Sequence, residues 1–147
     1  MGKIDVGKVI AGGILAGVVM NGIDYVSNNF ILARDWQNVA HLRNIDLTRM
    51  GGPAAIATWA SVDMLFGFLV TFTYAAIRPR FGLGPATATV AAFMIFLAWA
   101  LVMATLAGSF FSWDVYIRTT ALELVSMLAG GLAGAWVYSE ADSDPAD

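Results

Sequence analysis

VGKVIAGGILAGVVMNGIDYVSNNFIL, residues 6–32, is the stretch that decides the fold. It is apolar almost throughout, and longer than the about 20 residues a helix needs to cross a hydrocarbon core of roughly 30 Å. Three more runs of this kind follow, at about 53–77, 85–106 and 115–138. In lipid only helices and closed barrels satisfy the backbone, and these runs lack the alternation of barrel strands. The sequence therefore predicts an all-α polytopic membrane protein: a four-transmembrane-helix bundle forming one domain over residues 1–138. The tail, 139–147 (SEADSDPAD), is acidic and expected to be disordered. Lys3 and Lys8 ahead of Val9–Met20 imitate a signal peptide. The run continues through Asp24 to Leu32 without an A-x-A-like site, so the first helix is read as uncleaved.

Composition agrees with the spans. Of 147 residues, 59% are hydrophobic and 13% charged, against about 45–50% and about 25% in soluble domains. The mean hydropathy is +0.70. Without cysteine there are no disulfides, zinc–thiolate sites, iron–sulfur clusters or thiol catalysis. A net charge of −3 and a pI near 4.9 argue against nucleic acid, whose readers need a basic face.

The connections differ in kind. In ARDWQNVAHLRNIDLTRMGG, residues 33–52, Asp35 is placed to cap a short helix. Trp36, Val39, Ala40 and Arg43 then fall on one side, which predicts a short interfacial helix between the first and second spans. Gly51-Gly52-Pro53 ends it and starts the second span. Residues 78–84 (RPRFGLG) read as a tight basic turn, and 107–114 (AGSFFSWD) as an aromatic turn at headgroup depth. Four spans put both termini on one side. Lys3, Lys8, Arg78 and Arg80 fall there; Arg34, Arg43, Arg49 and Arg118 fall opposite, a tie in the positive-inside count. The pairing of Arg78 with Arg80 in a very short loop, and of Lys3 with Lys8 beside the first helix, tips the reading to cytoplasmic termini.

KVIAGGILAGVVMNG (8–22), the Asp35-Trp36 pair after the first span, and YAAIRPRFGLGP (74–85) after the second carry a resemblance. Over its first half the chain resembles small four-span bacterial integral membrane proteins of uncharacterised function. The resemblance implies a bacterial inner membrane and brings no activity with it.

Polar residues inside the spans are the informative ones, because an Asp at a helix centre costs about 2.5–3.5 kcal/mol on insertion scales. Three acids occur there: Asp24, Asp63 and Glu123. Counting inward from Leu32, Pro53 and Asp114, each lies roughly 12–15 Å below the same surface at about 1.5 Å per residue. Gly13, Gly17, Asn21, Asp24 and Asn28 share an arc of about 80° on span one. Trp59, Asp63, Gly67 and Tyr74 share a face of span two; Tyr116, Thr119, Glu123, Gly130 and Gly134 share one of span four. Small residues let helices approach, so these stripes are the expected packing faces. Span three carries Thr87, Thr89, Trp99 and Thr105 but no charge, and reads as a lipid-facing support that would tolerate a larger residue at Ala91.

Three carboxylates at one level resist ionising together and call for a cation, a shared proton, water or Arg118. They can also be a structural lock, since buried polar groups tie helices together for about 0.6 kcal/mol each. Arg118 has two readings, an interfacial pair with Asp114 four residues earlier or a counter-ion to the acids. His41 is the single histidine and sits on the interfacial segment. Trp59 and Tyr116 belong either to an aromatic belt or to the lining of a site for an organic cation.

The leading expectation is an acidic intramembrane pocket binding a cation, protons or a small polar or cationic solute. Its ligands would be Asp24, Asp63, Glu123, Asn21, Asn28, Arg118, Trp59 and Tyr116, and transport through it would take an oligomer. Whether the cation would be a metal stays open. The alternative is a non-catalytic accessory or assembly subunit of a larger membrane complex, its polar stripe an interface. A lipid-modifying enzyme is a third reading, although no catalytic constellation, nucleotide loop or dinucleotide turn is present. No cofactor is expected. The expected partners are membrane lipid and either further copies of the chain or a larger complex, with no nucleic acid.

Overall fold

A computed structural model describes residues 4–46, 48 and 51–140, the last two as backbone. Lys3, Arg49 and the tail beyond Glu140, named above, lie outside them. All the described regular structure is helical: α1 (Val6–Val26), α2 (Ala33–Arg43), α3 (Pro53–Phe81), α4 (Pro85–Ala104) and α5 (Trp113–Glu140). By length and composition α1 with its extension to Ile31, α3, α4 and α5 are each able to cross a membrane.

α1 starts where Asp5 accepts the Lys8 backbone N–H at 3.1 Å. Past Val26 it widens into one π-helical turn, Ser27–Ile31, closed by the Leu32 N–H on the Ser27 carbonyl at 2.8 Å. α2 follows at once, so Leu32 occupies the cap position and Asp35 lies inside the first turn, making no capping bond. The expected cap fails because the π turn delivers the chain already helical. Asn44, at φ 54°, ends α2. α3 begins as read, with Gly52 before Pro53.

The basic turn is shorter than expected. α3 runs through Arg78, Pro79 and Arg80 to Phe81. Proline removes one helical N–H bond and crowds the preceding turn, but packing holds this end. The Arg78 guanidinium lies 4.6 Å from the centre of the Tyr138 ring, and the Gly82 N–H closes on the Arg78 carbonyl at 2.9 Å. The aromatic connection keeps its length but lies two residues earlier, at 105–112, and folds back on itself through the Gly108 N–H and Phe111 carbonyl at 2.7 Å. α5 continues past Tyr138 to Glu140.

α1 packs against both α3 and α5, which also touch each other; α4 lies along α3 and α5. Gly13 and Gly17 meet Phe68 and Met64 of α3, and Gly12 and Ala16 meet Gly134 and Gly130 of α5. Successive long helices are therefore antiparallel, and the small-residue stripes are spent inside one chain. α4 is no passive support on its inner side. Thr87, Ala88, Ala91, Ala92, Phe96 and Ala100 form a buried stripe, and Ala91 has no exposed surface. That face is short-chained because α4 nests closely on α3 and α5; only its outer residues, such as Phe93, Met94 and Leu101, are exposed.

Candidate functional site

Asp24, Asp63 and Glu123 come together as their register predicts. The Asp24 carboxyl lies within hydrogen-bonding reach of the Asp63 carboxyl and of the Ser126 hydroxyl. Glu123 stands near enough to feel the charges of both. Two carboxyl groups hydrogen-bond only if one carries a proton, since an ionised carboxylate has no donor. A proton held between Asp24 and Asp63 would meet that requirement. All three acids are half-buried.

Ser126 is the residue the sequence reading passed over. It is wholly buried, three residues beyond Glu123 on the inner face of α5, and its hydroxyl also stands 3.4 Å from the Met20 carbonyl. The i,i+3 spacing from an intramembrane acid was the available signal. One turn on the other side of Glu123, the Thr119 and Thr120 hydroxyl oxygens are buried without a hydrogen-bond partner.

The remaining residues of the predicted site take other places. Asn21 donates its amide to the Gly17 carbonyl at 2.9 Å and the Ala60 carbonyl at 3.2 Å, so it clamps α1 to α3. Asn28 is exposed; it donates to the Asp24 backbone carbonyl at 2.8 Å and accepts from the Trp36 indole at 2.9 Å. Arg118 turns away from the acids. It pairs with Asp114 at 2.9 Å and with Asp35 of α2 at 3.5 Å, its side chain 56% exposed. Trp59 faces outward, 64% exposed. The Tyr116 hydroxyl donates to the Ala100 carbonyl at 3.0 Å, tying the top of α5 to α4, and its ring meets Trp113 edge-on at 5.5 Å.

Two open grooves are lined by other residues than the three acids. One of about 380 Å³ runs along α3 past Ala60, Ser61, Met64, Leu65 and Phe68. A second, of about 610 Å³, is bounded by Gln37, Ala40, His41, Asn44, Ile45 and Asp46 beyond the end of α2. There the Asp46 carboxyl is held below its usual range, first by the Thr48 hydroxyl and then by the Thr48 backbone N–H, at 2.7 and 2.9 Å. Among the described residues, no three His, Asp or Glu side chains are grouped to hold a metal ion.

α2 closes the same end of the bundle. Its Val39 and Ala40 are buried, with Val39 against Phe111 and Val115, and Trp36 meets Phe111 edge-on at 6.3 Å. Arg43 donates to the Phe110 carbonyl at 2.9 Å and to that of Ser109. Phe111 is thus a core residue of this end. No family model, no curated protein sequence and no solved structure matches the chain.

Proposed function

We propose that the chain is a four-span protein of a bacterial inner membrane whose Asp24–Asp63–Glu123 cluster binds protons, a small cation taking the place of the shared proton. Both termini are cytoplasmic in this reading, and α2 lies in the opposite interface. The four apolar helices support the membrane setting. So do tryptophans exposed at both ends: Trp59 and Trp113 toward α2, Trp136 toward the termini. The observation that carries the functional reading is the close approach of the Asp63 and Asp24 carboxyls with Glu123 alongside. Intramembrane acids mark ion and proton sites by default.

Protons are favoured over a metal ion because the acids are not grouped as a metal-binding set. An accessory subunit with a polar stripe for a partner is less well supported, because the stripe is used internally by the Asn21 clamp and the glycine crossings. Movement of the bound ion across the membrane would be the work of an oligomer.

The test is the melting temperature in detergent across pH, with and without added monovalent cations. Withdrawing the shared proton leaves like charges in contact. Wild-type melting should therefore fall on the alkaline side and recover with a cation that fits. Asp63→Asn keeps a donor facing Asp24 without a proton to lose, so its melting should be flat in pH over the same range. A wild type indifferent to both pH and cations overturns the reading.

A further inference from the structure

We propose that α2 is a strap, hinged at the π-helical turn Ser27–Ile31, that closes the aqueous approach to the acid cluster. The inference deepens the proton-site reading and rests on it. It follows from where the strap is joined and what holds it down.

The hinge is one turn from the site. Asp24 supplies the carbonyl that the Ser27 N–H and the Asn28 side chain both bond. A π turn carries one extra residue per turn, and such turns recur at functional positions in helices. From Leu32 the chain turns directly into α2, which crosses to the α4–α5 connection and the first turn of α5. Counting along α1 and α5 sets the acids deeper in the bundle than that crossing: Asp24 is eight residues before Leu32, Glu123 eight after Val115. At about 1.5 Å per residue both are some 12 Å below the strap.

What fastens α2 is one apolar cluster and a few polar bonds. Val39 rests on Phe111 and Val115, and Arg43 holds two loop carbonyls. The Asp35–Arg118 pair is long at 3.5 Å and open to water on the arginine side. The outer face of α2 carries Arg34, Gln37, Asn38 and His41, all exposed. Lifting α2 opens the apolar cluster of Trp36, Val39, Phe111 and Val115 and breaks a few polar bonds that water replaces. It leaves the glycine crossings of α1, α3 and α5 untouched. Opening the strap would join the acids to water on that side; closing it would leave them to the bundle.

Two carbodiimides separate the site from the strap. Both add to a protonated carboxyl; dicyclohexylcarbodiimide reaches it through lipid, and a water-soluble carbodiimide with an amine reaches it only from water. The full chain in liposomes is labelled with each, and modification of Asp24, Asp63 and Glu123 is read by peptide mass spectrometry. The expected result is lipid-route labelling that is equal in wild type, Arg43→Ala and Trp36→Ala, with water-route labelling at least tenfold faster in the two variants. In the cysteine-free background, Val39→Cys with Val115→Cys, joined by a short bis-maleimide, should slow the water route below wild type. Equal water-route rates in all forms, with the lipid route intact, overturn the strap and leave the proton site standing. Absence of labelling by either route overturns the proton site itself. A variant whose lipid-route rate also rises has loosened the bundle, and the cross-linked pair then decides: no slowing of the water route overturns the strap.

Discussion

Gly17 of α1 and Gly67 of α3 meet backbone to backbone: a Cβ placed on Gly67 would fall 2.8 Å from the Gly17 Cα and 2.5 Å from the Gly13 carbonyl oxygen. No side chain fits such a gap, so the crossing fixes how closely α1 and α3 approach. That approach in turn brings Asn21 to the Ala60 carbonyl and Asp24 to Asp63.

Enlarging this crossing should cost more than ordinary overpacking, which is about 1–3 kcal/mol. Gly17→Leu and Gly67→Leu should lower the melting temperature strongly, and Gly130→Leu should do so through Met20 and the Ala16 carbonyl. Gly22→Leu has open space around it and should be tolerated. Ala91→Leu belongs with the damaging group because Ala91 is fully buried. Thermal melts of the five variants in one detergent check the order.

Thr71 is fully buried at the junction of α1, α3 and α5, between Gly12 and Gly134, and its hydroxyl has no hydrogen-bond partner. An unmet buried hydroxyl costs about 1–3 kcal/mol. Thr71→Val keeps the shape and removes that cost, so it should melt at or above wild type. Thr71→Leu should destabilise by filling space the glycines need. The pair is read by the same melts.

Arg118 distinguishes a surface pair from a buried lock. Its side chain is 56% exposed and that of Asp114 68% exposed, and exposed ion pairs contribute about 0–1 kcal/mol. Arg118→Gln should shift stability by less than about 1 kcal/mol and leave the pH dependence of melting in place. A counter-ion to the acids would instead leave them uncompensated and cost about 3–5 kcal/mol.

The spans were legible because about 20 apolar residues in a row have few other uses, and the level of the acids followed from counting to the helix ends. The glycine stripes also pointed to the right faces. Other features depend on contacts between distant segments. Pro79 reads as a helix stop until Tyr138 is known to lie under Arg78. Ala91 reads as lipid-facing because an alanine stripe is apolar on either side of a helix; only the nesting of α4 on α3 and α5 makes it core. Arg118 had two readings in the sequence; it pairs with Asp114 as one of them had it, and also meets Asp35, which lies 83 residues away on α2 and could not be foreseen. Ser126 was hidden because a lone serine in an apolar span is common, and only Met20 and Asp24 give it a role.

Topology is checked in the cysteine-free chain with an impermeant thiol reagent. Gln37 on α2 and Arg80 at the end of α3 are both exposed and lie at opposite ends of α3. Gln37→Cys should label from one face of sealed vesicles and Arg80→Cys from the other. Labelling of both from the same face would contradict the four-span arrangement.

The most direct measurement is the infrared spectrum of the protein in lipid at neutral pH, in the region of the protonated-carboxyl C=O stretch. The expected result is a band from a hydrogen-bonded carboxylic acid that is weakened or shifted in Asp63→Asn and displaced by alkaline titration or by a competing cation. A spectrum with no such band in the wild type, or a band indifferent to Asp63→Asn, would contradict the shared proton.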